Sequence, residues 1–107
     1  MKYRITVLPR AKQQMLDQSL WWAEHRSAEQ ALKWLEGFHQ ALASLTDTPE
    51  RCVVARESGA LNFVVRELHY GLRNKATHRA VFEIRGDEVI VHSVRHLAQR
   101  DLTSDDV

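Results

Sequence analysis

The sequence predicts an α+β domain in which a helical hairpin packs on one face of a four-stranded, mostly antiparallel sheet. Three observations carry that prediction. A short β-forming segment opens the chain, two amphipathic helices follow almost without a linker, and three β-rich segments close it. At 107 residues the chain is long enough for one core and too short for two, so residues 1–107 are read as a single domain.

Residues 3–8 place β-formers at Tyr3, Ile5 and Val7, which gives an N-terminal strand. Pro9 then suits the first turn of a helix. Over residues 10–25, Ala11, Met15, Leu16, Leu20, Trp22 and Ala23 fall on one broad half of a helix, and Arg10, Gln13, Asp17 and Glu24 on the other. Trp21 falls on the polar half. An aromatic there is either a partner contact or is covered by a local loop. Ser27-Ala28-Glu29-Gln30 has the form of a capping box and starts a second helix, to about Leu45. Its apolar stripe runs through Ala31, Leu32, Leu35, Phe38 and Leu42, with Trp34 on the margin. Thr46 to Pro49 stops it.

Residues 46–62 carry no periodicity beyond a short apolar piece at Cys52-Val53-Val54 and are read as a long loop. Strands are predicted at Phe63–Tyr70, His78–Arg85 and Glu88–His96, the last two joined by a two-residue turn at Gly86-Asp87. In the last strand both parities are apolar, which places it at the centre of the sheet. The predicted core joins Met15, Trp22, Leu35, Phe38, Leu42 and Ile84, and the sheet face away from the helices is left partly open.

Composition excludes several classes of function. No apolar run reaches the roughly 18 residues that a membrane helix needs. The N-terminal residues lack the apolar stretch of a signal peptide, so a cytoplasmic location is expected. Cys52 is the single cysteine, which leaves no internal disulfide and no cysteine-based zinc site. His92 and His96 are four apart, but on a strand that spacing is about 13 Å, too far for a shared metal. No metal and no cofactor is expected. The sequence holds no phosphate-binding loop, dinucleotide fingerprint or nucleophile elbow.

The net charge of +1 excludes a strongly basic nucleic-acid binder at whole-chain level, yet residues 63–100 carry Arg66, Arg73, Lys75, Arg79, Arg85, Arg95 and Arg100 against Glu67, Glu83, Asp87 and Glu88. If Arg66, Arg79 and His96 converge on the open face, they form a cationic site with one group titrating near neutrality. Such a site can hold a phosphate and donate a proton to a leaving oxygen. The alternative is that these arginines are solvated or pair with Glu67 and Glu83.

The ordered set of motifs resembles the RelE/ParE superfamily of toxins. Tyr3 through Ala11 resembles the opening strand that runs into "P-x-A" and a helical hairpin. Leu45 to Pro49 resembles the close of the second helix, and Val65-Arg66-Glu67-Leu68 with Gly71 resembles the "R-x-L…G" strand. His78 to Ile84 and Asp87 to His96, with Arg100 behind, resemble the last two strands. The resemblance implies the toxin half of a type II toxin–antitoxin pair, a cytoplasmic, prokaryotic, growth-inhibiting protein that a cognate antitoxin neutralises. A ParE-like member, often labelled a plasmid stabilisation protein, inhibits DNA gyrase. A RelE-like member cuts mRNA on the ribosome, and for that activity the resemblance assigns catalysis to Arg66, Arg79 and His96. Arg51, Arg56, Arg95 and Arg100 are the expected target- or RNA-binding residues, and Trp21 the expected antitoxin contact. His78 stands where a tyrosine is usual and no C-terminal Tyr-His pair is present, which favours the ParE-like reading. A degenerate, non-toxic binding module is the third reading.

Overall fold

The computed structural model describes residues 2–106. Its elements are β1 (Arg4–Val7), α1 (Pro9–His25), α2 (Ala28–Ala43), β2 (Val53–Val54), α3 (Ser58–Leu61), β3 (Arg66–Tyr70), β4 (His78–Arg85) and β5 (Glu88–His96). The sheet has five strands rather than four, in the order β1-β5-β4-β3-β2, with β1 parallel to β5 and the other neighbours antiparallel. The added strand is the apolar piece Val53-Val54, which pairs with Glu67 and Arg66. Two residues carry no alternation of their own, so the pairing comes from β3 and not from local sequence.

Local chemistry explains the helix ends. Pro9 occupies the first turn of α1. The Ser27 hydroxyl accepts from the Gln30 N–H at 3.0 Å, satisfying one donor that the start of α2 leaves free. The hairpin lies on one face of the sheet and builds the main core with Met15, Trp34, Phe38, Leu42, Phe82, Val89 and Val91. Trp22, Leu35 and Ile84 pack against that core half-buried. Trp34, placed on the stripe margin by the sequence, is fully buried at its centre.

Three leucines on the predicted apolar faces of the helices, though not in the predicted core, lie on the surface. Leu16 is 49% exposed, Leu20 59% and Leu32 56%. The helices meet the sheet through a narrower stripe than helical periodicity suggested, and the outer edge of each apolar face stays in water.

Two close fits set the geometry. Gly37 lets β3 approach α2: a Cβ there would lie 2.1 Å from the Tyr70 hydroxyl, which donates to the Trp34 carbonyl at 3.0 Å. The second concerns the edge of β5. β1 reaches only to Val91, and beyond it the Gln14 side-chain oxygen of α1 accepts from the Val94 N–H at 2.7 Å.

The sheet face away from the hairpin is closed. Residues 55–65 and the C-terminal segment lie over it, and Ala55, Leu61, Val65, Val81 and Leu102 form a second, smaller core. Asn62, with φ 63°, ends α3 in the left-handed conformation that asparagine tolerates. This shortens the predicted strand 63–70 to Arg66–Tyr70.

Gly37→Ala is expected to lower stability by about 1–3 kcal/mol through overpacking. Tyr70→Phe removes the clashing oxygen, so in urea denaturation the double variant should lose less than the two single losses added together.

Candidate functional site

Residues directly opposite one another in a sheet share a face, and this decides whether the cationic set converges. Arg79 pairs with His69 and Arg95, and Glu67 with Val81; this is the face covered by residues 55–65. Arg66 pairs with Phe82, and His96 with His78, on the face under the hairpin. Arg79 therefore points away from both Arg66 and His96. Arg66 and His96 share a face but lie four residues along and two strands across from each other, roughly 16 Å by strand geometry. The structure does not bring the three together.

Each arginine has an internal partner. Arg79 is buried and forks onto Glu57, with Nη1 donating to Oε1 at 2.9 Å and Nη2 to Oε2; Nη1 also donates to Glu67 Oε2 at 2.7 Å. Burial pushes the Glu57 carboxyl up, but the Arg79 fork and the Leu102 N–H outweigh it and hold it below the usual carboxylate range. The hydrogen bonds that Arg79 donates to Glu57, against the cost of burial, raise its pKa above the ordinary value. Arg66 donates to the carbonyls of Glu50 and Cys52, at 3.2 and 2.7 Å, and so fastens the segment leading into β2.

The four arginines expected to bind a target are similarly engaged. Arg51 folds back onto the Asp47 and Thr48 carbonyls and the Ser44 hydroxyl, closing the turn after α2. Arg56 forks onto Asp101 at 2.8 Å. Arg95 is buried and donates to the Arg100 carbonyl; burial, and then the Arg100 charge, lower it from its ordinary value. Arg100 forks onto Asp106 at 2.8 and 3.0 Å. The expected basic surface is largely consumed in holding down residues 47–57 and 100–106.

A different grouping is present. His96 and Trp21 border one cleft of about 260 Å3, with His78 and Gln14 also on its wall. The His78 and His96 rings meet edge to face with centroids 5.2 Å apart, and His78 packs on Trp34 at the same separation. His78 Nδ1 is 2.8 Å from the Thr77 hydroxyl, while Nε2 is buried without a partner. Burial, with a smaller contribution from the charge of His96, pushes His78 down to about 4. No loop covers Trp21. It is 43% exposed and stacks on His25 with centroids 4.5 Å apart and planes 14° from parallel. Sequence reasoning missed Glu57 altogether, since a single acid in a stretch without periodicity gives no signal of burial. Asn62 was a legible signal, as a helix stop four residues after Ser58.

Residues 5–101 match the family described as ParE toxin of type II toxin-antitoxin system, parDE. The chain belongs to the ParE toxin family. Solved structures agree on the fold. A chain of the chromosomal ParDE toxin–antitoxin system from P. aeruginosa superimposes with a TM-score of 0.70 at 16% identity, covering 89% of this chain and 96% of that one. A double arginine-to-alanine variant of E. coli toxin RelE in the free state gives 0.55 at 20% identity, covering 92% and 86%. No curated protein matches the sequence significantly.

Two outcomes follow for this ParE-family chain. Arg79→Ala leaves Glu57 and Glu67 without their partner and should cost about 3–5 kcal/mol in urea unfolding. His78 is depressed in the folded state, so the unfolded chain takes up a proton first as pH falls. Its contribution to stability is complete above about pH 6.5 and is lost on acidification towards about 4, a change of about 3 kcal/mol. His78→Phe should remove that part of the pH dependence, measured as the difference between wild-type and variant urea midpoints.

Proposed function

We propose that this protein is a cytoplasmic toxin that inhibits DNA gyrase by binding it, without cutting RNA, and that an acidic, amphipathic segment of a cognate antitoxin neutralises it. The observation that carries the reading is the placement of Arg79. A nuclease site needs charge preorganised at the reacting phosphate, and its donors must be free to meet that phosphate. Here the Arg79 guanidinium is spent on Glu57 and Glu67 beneath residues 55–65, on the sheet face opposite His96. Membership of the ParE family points the same way.

The test uses purified protein in two assays. Loss of gyrase supercoiling activity, with intact transcripts in a translation extract, is the expected pair of results. Cleaved transcripts with unaffected gyrase would establish the RelE-like ribosome-dependent endonuclease. Neither effect, together with normal growth on induction, would establish the non-toxic binding module.

For the antitoxin, the hairpin supplies the exposed apolar side chains that a segment folding on binding requires: Leu16 and Leu20 one turn apart on α1, Leu32 on α2, and Trp21 on a different side of α1, at the cleft it shares with His96. The net-basic count of residues 63–100 would draw an acidic segment onto the sheet as well. The internal pairing of Arg56, Arg79, Arg95 and Arg100 argues against that extension and keeps the contact on the hairpin. Trp21→Ala should weaken antitoxin binding by about 2 kcal/mol or more in calorimetric titration, with thermal stability unchanged. Unchanged affinity would remove Trp21 from the contact.

A further inference from the structure

Among the described residues, Arg10, Lys12, Arg26, Arg73 and Lys75 are the cations without an ion pair or side-chain hydrogen bond. Three of these, Arg26, Arg73 and Lys75, line a single cavity of about 380 Å3 where the end of α1 meets the turn between β3 and β4. Its volume lies in the range of small-molecule sites, about 300–1,000 Å3. The apolar part of its wall is Trp22 and Leu72, and no acidic residue lines it. Trp22 Nε1 is a buried donor without a partner.

The turn that presents these cations is built tightly. The Thr77 N–H donates to the Tyr70 carbonyl at 2.9 Å and the Lys75 N–H to the Leu72 carbonyl at 3.3 Å. A Cβ on Gly71 would lie 1.8 Å from the Lys75 carbonyl oxygen, so only glycine permits the fold-back. Arg73 holds φ 58° in the left-handed region, an uncommon conformation for a residue with a long side chain. The turn is thus fixed in a shape that sets Arg73 and Lys75 across from Arg26.

We propose that this cavity binds a phosphorylated small molecule of nucleotide size, with its phosphates on Arg26, Arg73 and Lys75 and its ring against Trp22 and Leu72. Charge density selects phosphate over peptide carboxylate. Successive carboxylates of an extended acidic peptide are spread along a backbone that advances about 3.3 Å per residue. A terminal phosphoryl group concentrates about two charges on three oxygens and accepts guanidinium forks. The apolar wall of Trp22 and Leu72 gives a ring a contact that free phosphate lacks.

The site is separate from the gyrase reading, and its test does not use gyrase. Full-length protein labelled with 15N is titrated with ADP, adenosine and inorganic phosphate while the Trp22 indole N–H signal is followed. ADP is expected to shift that signal saturably with Kd below about 1 mM, at least tenfold tighter than either adenosine or phosphate alone. Arg73→Ala with Lys75→Ala, and separately Arg26→Gln, should each weaken ADP at least tenfold, with the Trp34 signal and the thermal midpoint unchanged. No saturable shift with ADP, equal binding of ADP and phosphate, or variants that bind ADP like wild type would each overturn the proposal. So would tighter binding at the same residues of a poly-glutamate peptide or a single-stranded oligonucleotide, which would assign the cavity to a macromolecule.

Discussion

The fork of Arg79 onto Glu57, with Glu67 as second acceptor, is the interaction on which the second half of the fold depends. It joins β4 to β3 and to the segment entering α3, and through the Leu102 N–H on Glu57 it reaches the C-terminal residues. Removing charges from water is expensive, and a buried ion pair is weak evidence of net stability. Its effect here is on specification. Residues 46–62 have no pattern that would place them, and a carboxylate that must meet one guanidinium under the sheet permits one path. Ser58 reinforces that path: its hydroxyl accepts from the Val65 N–H at 3.0 Å and lies 2.8 Å from the Ala55 carbonyl.

The two faces of the sheet are consequently built by different physics. Under the hairpin, burial of Trp34, Phe38, Phe82 and Leu42 is apolar, and each such side chain contributes about 1.5–3 kcal/mol. Over the other face the apolar cluster is small, and the space between its members is filled by ionised and hydrogen-bonded groups. Glu83 is nearly buried there, 2.8 Å from His92, whose ring also packs on Phe63. A bulge falls at this residue: Val81 pairs with Ser93 but Phe82 with Val91, leaving His92 as the extra residue. Beyond the bulge the parity of β5 is reversed, which puts Ser93 and Arg95 on the same face as Ile90.

Elements with their own pattern were legible in the sequence. β4 and β5 begin and end where alternation and the Gly86-Asp87 turn put them, and α1 and α2 follow Pro9 and the Ser27 cap. What escaped was decided by contacts distant in sequence. β2 exists because Arg66 holds the Cys52 carbonyl and β3 offers an edge. The depth of each helix is set by the sheet beneath it, so periodicity gave the direction of the apolar face but not its width, and Leu16, Leu20 and Leu32 at its outer edge stay exposed. For the candidate site, residue types were readable and faces were not. Arg66 and Arg79 are thirteen apart, on strands whose relative register fixes which side each takes, and one position of register reverses the answer.

The same accounting explains where recognition resides. The C-terminal arginines look available in a linear count of charges, but a charge that closes a turn or holds a tail has its field cancelled locally and steers nothing at a distance. Arg56 on Asp101 and Arg100 on Asp106 are of this kind. Among the described residues, the cations left without partners sit on α1, at its C-terminal end and on the turn after β3, beside apolar side chains left over from packing, such as Leu16 near Lys12 and Trp22 near Arg26. The sheet has spent its polar groups on its own architecture. The hairpin and the turn beside it have not, and a partner or ligand gains free energy only from groups that the fold has not already used.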